Sequence, residues 1–225
     1  VFCMTGKQGF QGSLSSNEIL NQFRSLPEFR ELTNMVYMGM GEPLDNITEV
    51  LKSLEILTAD WGYAWSPSRI TVSTVGLVNG IIEFLEKSRC HLAVSLHSPF
   101  DEERRQLMPI QKTNTVKEVL DIVKNFDFTR QRRVSFEYIL FKGINDSPLH
   151  IKELARILNG IKCRINIIRF HSFPGSDLSS PGMDATIAFR EALNAKGILA
   201  TIRSSRGVDI NAACGLLSTL EQNKA

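Results

Sequence analysis

The chain has 225 residues, 43% hydrophobic and 22% charged, a make-up that suits one globular domain with a continuous core and excludes disordered and collagen-like classes. Its net charge is only +2, from 26 basic against 24 acidic residues, so bulk charge points to no nucleic-acid partner and any RNA site must be local. No apolar run approaches the roughly 18 to 20 residues of a membrane span, and four scattered cysteines (Cys3, Cys90, Cys163 and Cys214) are too few for a disulfide framework, which implies no membrane and a reducing cytoplasm.

Val1-Phe2-Cys3-Met4-Thr5-Gly6-Lys7 lacks a basic leader with an apolar run and cleavage site, and lacks an initiator Met, so the sequence is expected to begin inside a longer protein. Ser15 or Ser16 is placed to cap a first helix through Ile19, Phe23 and Leu26. A β-rich run at 34–38 then leads into Gly39-Met40-Gly41-Glu42-Pro43, and Asn46 is expected to cap a helix through Val50, Leu51, Leu54 and Leu57. Runs at 69–73 and 91–96 flank a helix through Ile81, Ile82 and Leu85, and Thr115 caps a helix ending at Phe126. After a run at 133–140, Ser147-Pro148 reads as a cap with Pro at the first helical position, opening a helix to Leu158. Runs at 164–170 and 199–203 complete six candidate strands, with Gly160 and Gly197 marking helix ends.

Strand–helix–strand repetition with these connection lengths implies parallel strands joined by right-handed crossovers, hence an α/β class and a single domain over 1–225. Periodicity leaves an open sheet and a barrel equally good, because both bury parallel strands on two faces. In either, chemistry collects where the strands end.

The strand ends carry suitable groups. Glycines in Gly39-Met40-Gly41 let the backbone turn close to a ligand, and Glu42 at that turn can accept hydrogen bonds from an ammonium group. Ser73 and the Ser95-Leu96-His97 segment put hydroxyls and an imidazole on the same rim, suited to a ribose and a carboxylate, although His97 alone suits a structural hydrogen bond. No histidine or cysteine spacing suggests zinc. Cys214, between Ala213 and Gly215, has little local bulk to hide its thiol, and Arg130-Gln131-Arg132-Arg133 with Arg203 and Arg206 are candidate phosphate contacts.

Five blocks together resemble the radical S-adenosylmethionine (SAM) RNA methyltransferases of the RlmN/Cfr type, which act on ring carbons of adenosine. The blocks are Cys3-Met4-Thr5-Gly6-Lys7-Gln8-Gly9-Phe10, Gly39 through Leu44, Ser95-Leu96-His97, Phe173-Pro174-Gly175, and Arg206-Gly207 through Cys214-Gly215. The resemblance implies a partial (β/α)6 radical SAM barrel lacking its first strand, with a C-terminal strand and loop extension. It implies SAM and a [4Fe–4S] cluster as cofactors, with Cys3 the last of three cluster thiolates and the other two preceding Val1. Gly41 and Glu42 would hold the SAM amino group, Ser73, Ser95, Leu96 and His97 its ribose and carboxylate, and Cys214 would be the catalytic cysteine. His171 would also belong to the SAM site, where it can still hydrogen-bond, although the better-known members carry Asn there and the position departs from the pattern.

The implied mechanism uses two SAM molecules: one methylates Cys214, and cleavage of the second yields a 5′-deoxyadenosyl radical that activates the S-methyl group for addition to adenine. The implied substrate is 23S rRNA at adenine C2, and the implied electron donor is a protein such as flavodoxin. The choice of C2 or C8, and of rRNA alone or rRNA with tRNA, stays open in the sequence, and the isolated chain is expected to be inactive without the other cluster thiolates. A glycyl-radical activase is the alternative within the enzyme class; a non-catalytic RNA-binding module and a barrel for phosphorylated metabolites fit the five blocks less well.

Overall fold

A computed structural model describes residues 2–128, 134–173, 175–205, 213 and 215–217 of the chain. Six strands, β1 (Met35–Tyr37), β2 (Ile70–Thr74), β3 (His91–Ser95), β4 (Val134–Leu140), β5 (Cys163–Arg169) and β6 (Ala200–Ile202), form one sheet in sequential order. All five pairings are parallel. The helices are α1 (Met4–Gln8), α2 (Ser16–Arg24), α3 (Ile47–Thr58), α4 (Val78–Lys87), α5 (Asp101–Leu107), α6 (Val116–Asn125), α7 (Pro148–Ile157) and α8 (Met183–Ala195). The expected α/β class is present, and the six expected strands are found with ends displaced by a residue or so.

Sequential order decides what periodicity left open. Right-handed crossovers between strands that follow one another in the sheet put every connecting helix on the same face, where a doubly wound sheet reverses direction and fills both. In a flat sheet of six strands β1 and β6 would stand roughly 24 Å apart, at about 4.8 Å per strand. Yet Arg203 Nη1, just past β6, lies 3.1 Å from Met38 Sδ, just past β1. The sheet is therefore curled, with its helix-free face inside.

Side chains alternate accordingly. Val72, Val94, Phe136, Tyr138, Ile165 and Ile167 join the core beneath the helices. Ser73, Ser95, Ser135, Glu137, Asn166 and Thr201 occupy the opposite rows. A smaller apolar cluster of Leu107, Met108, Ile139, Phe141, Ile168, Phe170 and Phe173 sits at the carboxyl ends of β4 and β5.

Capping signals account for three of the described helix starts. Ser15 and Thr115 form capping boxes with Glu18 and Glu118, and Ser147 caps α7 with His150 as its reciprocal partner. Asn46 stands at the N-cap of α3, but its side chain does not cap the helix; Nδ2 donates instead to Leu14 O at 2.7 Å, tying the segment before α2 to α3. Helices α1 and α5 were not among the expected ones, while α8 was expected only through Gly197 as the mark of its end. In α5 the sequence Asp-Glu-Glu-Arg-Arg-Gln-Leu shows no apolar stripe because its central buried residue is Arg104. Among the described residues no helix is long and apolar enough to cross a membrane.

Candidate functional site

The rim at the carboxyl ends of β1, β2 and β3 brings together the residues expected there. Gly41 follows β1 with φ +91 and nothing within 4 Å of where a Cβ would stand, so the turn needs glycine and leaves open space beside it. Glu42 reaches from this turn to the end of β2: Oε2 accepts from Val75 N at 2.8 Å and Oε1 from Leu44 N at 3.0 Å. Burial pushes its carboxyl above the ordinary value, while the Val75 amide, Thr74 and the Leu44 amide pull it back. With the two amides and Thr74 as partners, the two oxygens retain one acceptor position for a ligand.

Ser73 and Ser95 are half-buried, and their hydroxyls form no hydrogen bond among the described residues. Leu96 and His97 differ: both are buried. Leu96 N donates to Glu137 O at 2.9 Å, and His97 Nδ1 accepts from Ile139 N at 3.0 Å. Burial, with the Arg104 cation as a second cause, holds the His97 ring down to about 3, so it stays neutral. Of the three, the Ser95 side chain alone opens toward the rim.

Sequence patterning missed two buried charged groups. Arg104, fully buried, donates to Leu96 O (3.2 Å), Ser95 O (3.1 Å) and Val75 O (2.7 Å). Glu137 sits in the middle of β4 in register with Ser95, its Oε1 accepting from Ser135 Oγ (3.0 Å) and Asn166 Nδ2 (2.8 Å). Its Oε2 has no hydrogen-bond partner, with Arg203 Nη1 3.8 Å away, and burial raises the carboxyl above its usual range. Alternation within β4 could have flagged Glu137 as the one acid in a seven-residue β run.

Cys3 is the half-buried residue that begins α1, and its neighbours pack on the opposite end of the chain. Met4 N donates to Gly215 O at 2.9 Å, and Thr5 Oγ1 donates to Leu217 O at 2.8 Å across 212 residues. Gly215 has φ +85, and a Cβ there would stand 2.9 Å from Phe2 O, so only glycine allows this approach. Phe2, Met4 and Leu216 all pack against the smaller apolar cluster. Cys214 itself lies outside the described residues, as do Pro174, Arg206 and the 130–133 run. His171, after β5, shares a 2.8 Å hydrogen bond with Ser205, and burial, with Arg169 as a second cause, lowers its imidazole below the usual value. Cys90 and Cys163 are buried in the core, as their positions beside strands suggested.

These groups fit SAM through an acid with a spare acceptor position, an open turn and two available hydroxyls. For the cluster, the described residues contain no group of three or more metal-ligating side chains, so Cys3 can serve only as one thiolate of a set. Glu42→Gln is expected to weaken SAM binding about ten-fold, near 1.4 kcal/mol, because a charge-assisted bond becomes neutral and one amide now faces an NH2 group. Calorimetric titration of the cluster-bearing enzyme checks this, and unchanged affinity would remove Glu42 from the site.

Residues 1–155 match the model of the radical SAM superfamily. The chain is 58% identical over 224 residues to a "Probable dual-specificity RNA methyltransferase RlmN" of Bacteroides fragilis (strain YCH46), covering 100% of the chain and 65% of that protein. It is 44% identical to a "Dual-specificity RNA methyltransferase RlmN" of Campylobacter lari, covering 96% of the chain and 62% of the relative. A crystal structure of a radical SAM methyltransferase from Sphaerobacter thermophilus superposes with a TM-score of 0.90 at 39% identity, over 96% of this chain and 65% of that one. The chain thus spans about 65% of the length of such relatives.

Proposed function

Since the chain belongs to the radical SAM superfamily, we propose that it is the catalytic part of an enzyme that methylates C2 of an adenosine in 23S rRNA, with tRNA as a second substrate class. The relatives' name, dual-specificity RNA methyltransferase, supports the substrate class and the breadth. The observation that supports the reading is the pair of hydrogen bonds, Met4 N to Gly215 O and Thr5 Oγ1 to Leu217 O, between the segment after the expected cluster thiolate and the segment after the expected methyl-accepting cysteine.

Bound at this rim, SAM and a [4Fe–4S] cluster supply the methyl carbon and the one-electron chemistry that a non-nucleophilic ring carbon requires. Cys3 contributes one thiolate of the cluster's set. Glu42 accepts hydrogen bonds from the ammonium group of SAM, and Ser73 and Ser95 meet its ribose and carboxylate. Gly41 leaves room for the ligand, while Leu96 and His97 hold the Ser95 strand end in place, and His171 stands at the far side of the rim. Cys214 takes up a methyl group as a thiolate. The target base leaves its stack to reach this end of the barrel, and a flavodoxin-type protein supplies electrons.

Incubating the enzyme, extended upstream to include the other cluster cysteines, with 23S rRNA and analysing the nucleosides by mass spectrometry should yield 2-methyladenosine. A product methylated at C8 would assign the other regiochemistry. Unmodified RNA, with glycyl-radical formation on a partner protein, would overturn the reading in favour of an activase.

A further inference from the structure

Arg104 lies on α5 with no solvent exposure, and its guanidinium is spent almost wholly on strand-end carbonyls. Nη2 donates to Val75 O (2.7 Å) and Ser95 O (3.1 Å), Nε to Leu96 O (3.2 Å), and Nη1 to Gln111 Oε1 (2.6 Å). Those three carbonyls stand where β2 and β3 have run out, and a buried carbonyl without a donor is costly. Val75 is shared: its carbonyl accepts from Arg104 while its amide donates to Glu42 Oε2 at 2.8 Å. One side chain thus joins the β3 end to the β2 end and, through Val75, to the acid on the β1 turn.

The surroundings are shaped for it. Gly76 has φ +109, and a Cβ there would stand 3.3 Å from Nη2, so glycine gives the guanidinium its passage. Among the described residues no carboxylate pairs with Arg104 directly; Gln111 relays to Asp101, with Nε2 donating to Oδ1 at 2.7 Å. Burial lowers the guanidinium to about 10, with Asp101 acting against that, and it remains a cation at neutral pH. A buried cation is expensive, and an apolar side chain of similar length would fill the volume at less cost. What an apolar residue cannot do is hold three carbonyls in a planar fork.

We propose that Arg104 is a positioning residue of the SAM site, which fixes Ser95, Leu96 and, by way of Val75, Glu42 in the geometry that receives the ligand. The proposal rests on the reading of Glu42 and Ser95 as SAM contacts. Lysine at this position keeps the charge and most of the volume but can serve only part of the fork.

The test is SAM affinity by titration of the cluster-bearing enzyme carrying Arg104→Lys, Glu42→Gln or both, with thermal unfolding as a check on folding. Arg104→Lys is expected to fold, to weaken SAM at least ten-fold, and to combine with Glu42→Gln less than additively, because both act on one relay. Amide exchange should quicken at Val75, Leu96 and His97 and not along β4, a local signature that general loosening would not give. A folded Arg104→Lys enzyme with unchanged SAM affinity, beside a Glu42→Gln enzyme that binds poorly, would overturn the proposal and spare the site. Full additivity would also overturn it. Unchanged affinity in Glu42→Gln itself would strike the site reading and the role of Arg104 with it. Should Arg104→Lys fail to fold, Gln111→Met decides: it removes the Nη1 acceptor along with the Gln111 bonds to Asp101 and Val116 N, and leaves the strand-end carbonyls and Glu42 untouched; several-fold weaker SAM binding supports the proposal, and unchanged affinity overturns it.

Discussion

Replacing Cys214 with Ala is expected to abolish methyl transfer to RNA while SAM continues to bind. The residues that hold SAM on the present reading, Gly41, Glu42, Ser73 and Ser95, belong to the β1, β2 and β3 ends, and none depends on residue 214. The neighbours of Cys214 are fixed by contacts a Cys-to-Ala change leaves intact: Ala213 is buried, Leu216 N donates to Ala213 O at 2.9 Å, and Gly215 O accepts from Met4 N at 2.9 Å. Binding and chemistry should therefore separate. On the proposed scheme the Cys214 thiolate would form an S–CH3 bond in the first stage as the sulfonium–methyl bond of SAM breaks, releasing S-adenosylhomocysteine, so no net proton or electron is needed. Enzyme incubated with methyl-labelled SAM, digested and analysed by mass spectrometry, should carry label at Cys214 and not at Cys90 or Cys163, which are buried. Label elsewhere, or a Cys214→Ala enzyme that still methylates RNA, would sink the two-stage scheme.

Acid is expected to destabilise the fold through His97 well before ordinary carboxylates protonate. His97 Nδ1 accepts from Ile139 N at 3.0 Å, which fixes the neutral tautomer with hydrogen on Nε2; protonation would set one N–H against another. The ring is 3% exposed, edge-on to Phe2 at 4.8 Å, and held down to about 3 from an ordinary 6.5. Between those values the unfolded chain binds a proton that the folded one refuses, so this contribution is complete above pH 6.5 and falls as pH drops toward 3. The slope is about 1.4 kcal/mol per pH unit, or roughly 2 kcal/mol between pH 6.5 and 5. Glu42 and Glu137, both raised by burial, act in the opposite sense and make the chain more stable as pH falls, so the His97 contribution must be isolated by difference. His97→Asn does this. Residue 97 has φ +56, a conformation Asn tolerates, and an Asn oxygen can still accept from Ile139 N without titrating. Urea unfolding at pH 7.5 and 5.0 should show a larger loss in the native chain than in the variant. Equal losses would mean that the imidazole is protonated without cost.

The amino-acid sequence by itself determined the α/β class, the six strands, and the helix starts at Ser15, Thr115 and Ser147, because each depends on residues within about four positions of one another. It also determined the resemblance, and with it Gly41 and Glu42 at the first strand end, since the motif there is contiguous. Only the tertiary structure decided that the sheet curls, because a contact such as Arg203 to Met38 follows from strand order and not from any local period. Only it showed that Leu96 and His97 are buried parts of the rim while the side chain of Ser95 is open, a difference that alternation cannot express once a strand has ended. Arg104 is the clearest case. A charged residue in a short helix reads locally as a solvated face, and its burial is stabilised by carbonyls of Val75, Ser95 and Leu96 that come within reach only when two neighbouring strands end beneath the same helix. The docking of residues 2–5 on 215–217 is of the same kind: neither segment alone specifies the other, and their meeting follows from a chain path that returns to the same end of the barrel.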